Sequence, residues 1–372
     1  MRVNIYLFVY YHFILSSSPI CLQIDSSMGF LLLIGMGKTR NNQQSGNIIS
    51  LDYEYHIQTL ALPPLPSRDN ILVFHLRSSL VVCGRIESDV ESADCLCYSD
   101  MSSKVWIKQD KHPRIQRKQA SSQVLQYQDE FNITVTQLWI SGGAITQANQ
   151  ETLVLPSIEF LFLEGVDETG QVDCAAKTST NWKSGADMPK SLADHCTLIM
   201  QNHKVLVTGG RTLEGFVVKN SFSYDAKTDS WDTLSDMGQA RKQHTCTKFN
   251  TTTGFEVAIV AGGEGDTQGE LLSSCEIFYL DVNIGQWARI HELPISLTMS
   301  SMLNINNRLI LSGGISEGIV QDAIWVYDQK SGWHFFNQKL HTAMYAHTST
   351  IWKKGNHSLV EGKCKASLAV PE

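Results

Sequence analysis

Positive charge is in short supply in this 372-residue chain, where 30 Lys and Arg stand against 37 Asp and Glu for a formal net charge of −7. Nucleic-acid binding usually needs a basic face, so that partner class is set aside. Proline is scarce at nine, and the 26 glycines follow neither a collagen period nor a low-complexity tract. Nine cysteines are too few for a small disulfide scaffold, although they can staple a larger core. No apolar run reaches the roughly 20 residues of a membrane helix. What is present is a globular composition, 42% hydrophobic and 18% charged. The length admits one large domain or two ordinary ones.

The first 27 residues stand apart. Arg2 precedes an apolar run from Ile5 to Leu15, and Ser16, Ser17, Ser18 and Pro19 follow. A basic start, about a dozen apolar residues and small residues after them describe a secretory signal peptide. Pro19 makes a poor cleavage site, and the other reading takes Met28 as the start and the protein as cytoplasmic. The expectation is a signal peptide or extra segment over 1–27 and a secreted mature chain without a membrane span.

Internal repetition decides the fold class. An apolar strand ending in a glycine pair recurs at Leu138–Gly143, Val205–Gly210, Ala258–Gly263 and Leu309–Gly314, with degraded copies at Leu32–Met36 and Val81–Arg85. The first glycines stand at 35, 84, 142, 209, 262 and 313, a unit of about 50 residues with insertions in the second and third. A strand ending in Tyr-Asp or a near variant follows (Tyr224, Tyr279, Tyr327), and then a Trp (Trp231, Trp287, Trp333). The second unit has Tyr98 and Trp106 in these slots, and the third has Trp182. Turns with Leu-Pro or Met-Pro come next, and a His often opens another strand (His195, His244, His347). Four short strands and a buried aromatic per unit read as a propeller blade.

These residues together resemble the kelch repeat, over about 30–354. The first unit departs from the pattern by lacking the Trp and the second Gly, and the third lacks the usual Tyr-Asp and carries an insertion around 144–175. The resemblance implies an all-β, six-bladed kelch-type propeller of four-stranded antiparallel blades over 28–355, with a tail over 356–372. It gives the Tyr and Trp wedge positions between blades, and it gives the His and Arg near the first strand a loop-tying role. First strands are expected near 71–77, 121–127, 194–200, 243–249, 298–304 and 346–352. The chain enters at a second strand, Phe30 to Ile34, and leaves after a first strand, Tyr345 to Trp352. The C-terminal strand is therefore expected to close the ring, leaving no open sheet edge.

Other motifs carry less. Gly35-Met36-Gly37-Lys38-Thr39 looks like the end of a phosphate loop, but Leu32 occupies the place of its first Gly. Cys95 and Cys97 share a strand face, with no further ligands at zinc spacing, so no metal is expected. Disulfide candidates are Cys83, Cys95, Cys97, Cys174, Cys196, Cys246 and Cys275. Cys196 and Cys246 sit at matching repeat positions and hint at a bridge, but the pairing is open and buried thiols are the alternative. Acceptor sequons at Asn132, Asn250 and Asn356 fall in turns or at strand ends and make glycosylation candidates for a secreted chain.

No nucleophile elbow or paired carboxylates stand out, so neither an enzyme nor a bound cofactor is expected. The resemblance implies a binding module whose recognition face is built from the loops joining second to third strands and fourth to first strands. Those loops bring together Arg85, Arg211, Glu214, Arg241, Lys242, Glu264, Asp266 and Glu317 as binding-surface candidates for a protein or glycan partner. The alternatives are a six-bladed carbohydrate-modifying enzyme, which would need a pocket at one mouth of the channel, and an intracellular kelch adaptor.

Overall fold

The structure, a computed structural model, describes residues 105–351 apart from 148–149, 165, 167–171, 176–178, 201–202, 281–284 and 306. Before residue 105 it describes 31–35, 38, 40, 47–51, 57–59, 68–76, 79–86 and 93–99. The expected signal segment, the tail and Asn356 lie outside the described residues.

The described elements are all strands. The first three are β1 (Leu31–Gly35), β2 (Asn47–Leu51) and β3 (Ile57–Thr59). Blade A follows with β4 (Arg68–Leu76), β5 (Ser79–Ile86), β6 (Ala93–Ser99) and β7 (Ile107–Gln109). Blade B holds β8 (Ser121–Gln128) and β9 (Thr134–Ser141), then a side hairpin of β10 (Ala144–Thr146) and β11 (Thr152–Val154), then β12 (Ile158–Phe162) and β13 (Lys183–Ser184). Blade C is β14 (Cys196–Ile199), β15 (Lys204–Thr208), β16 (Ser221–Asp225) and β17 (Ser230–Thr233). Blade D is β18 (Thr245–Asn250), β19 (Glu256–Ala261), β20 (Cys275–Tyr279) and β21 (Trp287–Ile290). Blade E holds β22 (Ser301–Ile305) and β23 (Arg308–Ser312), a small hairpin of β24 (Ile315–Ser316) and β25 (Ile319–Val320), then β26 (Ile324–Asp328) and β27 (Gly332–Phe335). The last strand is β28 (Thr348–Ile351), which pairs antiparallel with β1 in a sheet of order β28-β1-β2-β3. The protein is an all-β propeller of four-stranded antiparallel blades. Among the described residues no helix is long and apolar enough to cross a membrane.

Burial explains the strand sequences. Second strands are covered on both faces by neighbouring blades, so β15, β19 and β23 read as continuous apolar runs rather than alternating ones. Val205, Leu206 and Val207 are each fully buried. The aromatics wedge between blades: Tyr224 lies 5.6 Å from Trp139 of blade B and 4.9 Å from Trp231. Trp231 donates its indole N–H to the Ala186 carbonyl at 2.9 Å, and Trp287 does the same to Ser235 at 3.2 Å. Each ring thus pins an outer strand to the loop leaving the preceding blade. Trp333 is buried, whereas Trp231 and Trp287 are half-buried.

First strands present an open backbone edge, which the next or preceding blade covers with side chains. Gln123 donates to the Thr197 carbonyl at 2.7 Å, Lys248 to Met200 at 2.9 Å and Asn304 to Lys248 at 2.6 Å. Cys196 and Cys246 add a covalent bridge between β14 and β18. Cys83 and Cys95 join partners in the β5/β6 ladder, and Cys97 and Cys174 tie blade A to the long connection after β12. Cys275, a disulfide candidate in the sequence, is instead a free buried thiol. It stands on β20 in the core of blade D, where burial raises its pKa to about 12 and leaves it inert.

The glycine pairs are latches between blades. Gly209 has φ of 59°, and an added Cβ there would overlap the Arg241 carbonyl of the loop entering blade D. Gly210 then donates its N–H to that carbonyl at 2.8 Å. Gly143 to Leu192, Gly263 to Leu297 and Gly314 to Met344 repeat the bond at 2.7–2.8 Å. Behind three of the four latches a buried imidazole is hydrogen-bonded to the hydroxyl closing the previous second strand: His195 with Ser141, His244 with Thr208 and His347 with Ser312.

Candidate functional site

The loops joining second to third strands and fourth to first strands gather at one end of the channel. There the residue two places before five of the first strands is left-handed: Gln119 at φ 58°, Asp194 at 58°, Gln243 at 53°, Met299 at 53° and Ala346 at 50°. Their backbones form a belt. Asp194 N–H donates to Gln119 O, Gln243 to Asp194, Met299 to Gln243 and Ala346 to Met299, at 2.8–3.0 Å. Among the described residues the belt holds five at the rim of the channel and leaves their side chains without a ladder duty.

Inside the belt lies a cavity of about 390 Å3, lined among others by Lys38, Gln119, Asp194, Gln243, Met299 and Tyr345. The volume falls within the range of small-ligand pockets. One polar network crosses its rim. Arg211 Nε donates to Asp194 Oδ2 and its Nη2 to Gln119 Oε1, both at 2.8 Å. Gln243 Nε2 reaches Asp194 Oδ1 at 3.2 Å. Lys242 pairs with Glu264 at 2.8 Å, both partly exposed. The buried imidazoles behind the rim stay neutral: burial depresses His195 and His347 to about 4 and lowers His244 as well.

Of the sequence candidates, Arg211, Lys242 and Glu264 stand on this rim in ion pairs. Glu214, Asp266 and Glu317 are exposed on the loops of blades C, D and E. The Arg85 side chain lies outside the described residues. Arg241 is not a surface residue. It is fully buried and donates to Gly262 O at 2.7 Å, to Ser274 O and Oγ at 3.1 Å and to Glu276 Oε1 at 2.7 Å. A guanidinium satisfies several inward-pointing oxygens at once, which is why the strand connections of blade D close over it.

Arg117 does the same in blade B with Gly142 O, Ser157 O and Glu159. The pair of Arg–Glu locks was missed in the sequence, although its signal is there. Arg117-Lys118-Gln119 and Arg241-Lys242-Gln243 are identical triplets, and Glu159 and Glu276 each stand second in a third strand. The rim residues Gln119, Asp194, Gln243, Met299 and Ala346 were also missed, because their shared trait is a backbone angle rather than a residue type. Among the described residues no group of three or more His, Cys, Asp or Glu gathers as a metal site.

No protein-family model matches the chain. Curated relatives share its repeats: beta-scruin of Limulus polyphemus is 24% identical over 186 residues, 49% of this chain and 20% of the scruin. Kelch-like protein 40 of Xenopus tropicalis is 26% identical over 153 residues, 41% of this chain and 23% of that protein. An F-box/kelch-repeat protein of Arabidopsis thaliana is 27% identical over 109 residues, 29% and 26% of the two chains. The chain thus spans about a fifth to a quarter of the length of these relatives. The solved structure of YjhT superposes with a TM-score of 0.57 at 15% identity, covering 78% of this chain and 88% of that one. In its repeat signature and blade topology, and by these likenesses, the chain resembles the kelch-repeat β-propellers. Kelch propellers commonly serve as binding modules.

Proposed function

We propose that this chain is an exported, non-catalytic binding module, a six-bladed ring that receives a protein or glycan partner at the mouth described above. The single observation behind the reading is the belt and its cavity. Five rim residues are held at their backbones by the belt, around a concave site. Two pairs of its charged groups offset each other, Asp194 with Arg211 and Lys242 with Glu264. Closure as six blades is supported by the β28–β1 pairing, by the Lys38–Tyr345 bridge, and by the Gly314–Met344 latch leading into β28. Export is supported by three disulfides, which persist in oxidising compartments.

The cavity also favours a second reading, a carbohydrate-modifying enzyme using the same mouth. One experiment separates the two. Purified protein is screened on glycan and extracellular-protein arrays and, in parallel, for turnover of uronic and sialic sugars. Saturable binding lost in Asp194→Ala/Gln243→Ala, without turnover, supports the module; turnover lost in the same variant establishes the enzyme.

A further inference from the structure

The opposite end of the propeller carries the loops between first and second strands, and two of them share an unusual pairing. In blade B the β8–β9 loop exposes Phe131 and Ile133, at 74% and 61% of their surface, on either side of Asn132. Asn132 opens the sequon Asn132-Ile133-Thr134. In blade D the β18–β19 loop exposes Phe255 at 42%, and Asn250 at its start opens Asn250-Thr251-Thr252. Both described sequons therefore lie on one end, and each shares its loop with an exposed phenylalanine.

The loop geometry presents these asparagines. Asn132 sits at φ 58° at the tip of a turn held by Asp129, whose Oδ1 accepts the N–H groups of Phe131 and Ile133 at 2.9 and 2.8 Å. No described residue bonds the Asn132 side-chain amide. At Asn250 the backbone is the tethered part: Asn307 bonds its N–H and its carbonyl, and Gln329 donates to the carbonyl at 2.8 Å. The Asn250 side chain is left exposed.

We infer that Asn132 and Asn250 carry N-linked oligosaccharides, and that the sugars cover Phe131, Ile133 and Phe255 and make this end of the propeller a glycan-bearing face. The apolar C–H face of a pyranose suits an aromatic ring, and single phenylalanines on loops of two blades separated by a third do not form one continuous protein-docking patch. In the transfer step the amide nitrogen attacks the anomeric carbon of an oligosaccharide carried on a lipid diphosphate. The N–C bond forms and the C–O bond to the diphosphate breaks. The lipid diphosphate leaves with the electron pair, and the amide yields one proton to the transferase. The inference rests on the export reading, and it leaves the cavity end as the face free for a partner.

The test expresses the full chain with its own N-terminal residues in a eukaryotic secretory cell. Peptides are mapped after amidase release in 18O water, which labels each formerly glycosylated Asn as aspartate. Label at both sites, and loss of one electrophoretic step in each of Asn132→Gln and Asn250→Gln, is the expected result. Thr134→Ala and Thr252→Ala should lose the same steps with the asparagines intact. Enzymatic removal of the sugars should raise binding of a hydrophobic dye, and Phe131→Ser/Phe255→Ser should abolish that rise. A chain retained in the cytosol overturns the inference through the export reading. A chain exported and folded but bare at Asn132 and Asn250 overturns it at the sites. Equal dye binding before and after sugar removal overturns the covering role.

Discussion

Arg241 and Lys242 are neighbours of like charge, and their substitution to alanine should have opposite consequences. Arg241 is fully buried and makes four hydrogen bonds, the strongest to the Glu276 carboxylate at 2.7 Å. Glu276 is itself 1% exposed, and its carboxylate also accepts the Gly238 and Gln239 N–H groups at 2.6 and 3.2 Å. Arg241→Ala strands that carboxylate and leaves the Gly262 and Ser274 carbonyls short of a donor. Removing one partner of a buried ion pair costs about 3–5 kcal/mol. Lys242 keeps 23% of its side chain in water and its partner Glu264 26%. Its removal should cost about 0–1 kcal/mol. Urea unfolding followed by tryptophan fluorescence reads the difference as a midpoint shift at constant slope. Replacing both members, Arg241→Met/Glu276→Met, should recover part of the loss, because no unpaired charge then remains. Equal small effects at 241 and 242 would refute the lock. So would a double variant worse than Arg241→Ala.

Four further outcomes are expected. His195 and His347 have pKa values depressed to about 4, below their unfolded value of 6.5, so the unfolded chain takes up protons first as pH falls. Stability should be full above pH 6.5 and drop between 6.5 and 4 by about 1.4 kcal/mol per pH unit for each imidazole, a slope that urea midpoints should show reduced in His347→Gln. Gly209→Ala should destabilise by more than Gly215→Ala in thermal melts: both have positive φ, at a cost of about 1–2 kcal/mol, but only Gly209 faces a carbonyl, whereas Gly215 has nothing within 4 Å. Trp333→Ala should cost about 3–5 kcal/mol, and half-buried Trp231 and Trp287 less, by the same urea assay. Cys196→Ser/Cys246→Ser should lose about 2–4 kcal/mol in the same urea assay.

The blades were legible because their marks are compositional. A glycine pair after an apolar run is demanded by the latch, and it located β9, β15, β19 and β23 directly. The first strands followed: 121–127 was expected where β8 spans Ser121–Gln128, and 243–249 where β18 spans Thr245–Asn250. The insertion in the third unit was visible as length, but its β10–β11 hairpin was not. Ala144, Ile145 and Thr146 carry too short a pattern to separate a strand from a loop. Arg241 was misplaced for a different reason. Its charge and its neighbour Lys242 suggest a solvated loop, and only the third-strand Glu276, 35 residues on, reveals that the side chain turns inward. Pairings over such distances leave no local trace.

The division of labour at the mouth follows from which atoms do the holding. Each latch is a glycine N–H on a carbonyl, and each belt bond is an N–H on a carbonyl of the preceding blade. Neither consults the side chain of the residue at the rim. The residues one or two places away are constrained: Arg117 and Arg241 by their buried glutamates, His195, His244 and His347 by a hydroxyl. The rim positions between them are filled by an amide, a carboxylate, a second amide, a thioether and a methyl group, at Gln119, Asp194, Gln243, Met299 and Ala346. All five nonetheless keep φ near +55°, a conformation that disfavours every side chain carried there. A ring that spends backbone strain to hold five chemically different side chains around one cavity has its shape fixed by its backbone. Side-chain bonds further tie Gln119 and Asp194 to Arg211 and Gln243 to Asp194, so exchange is least constrained at Met299 and Ala346.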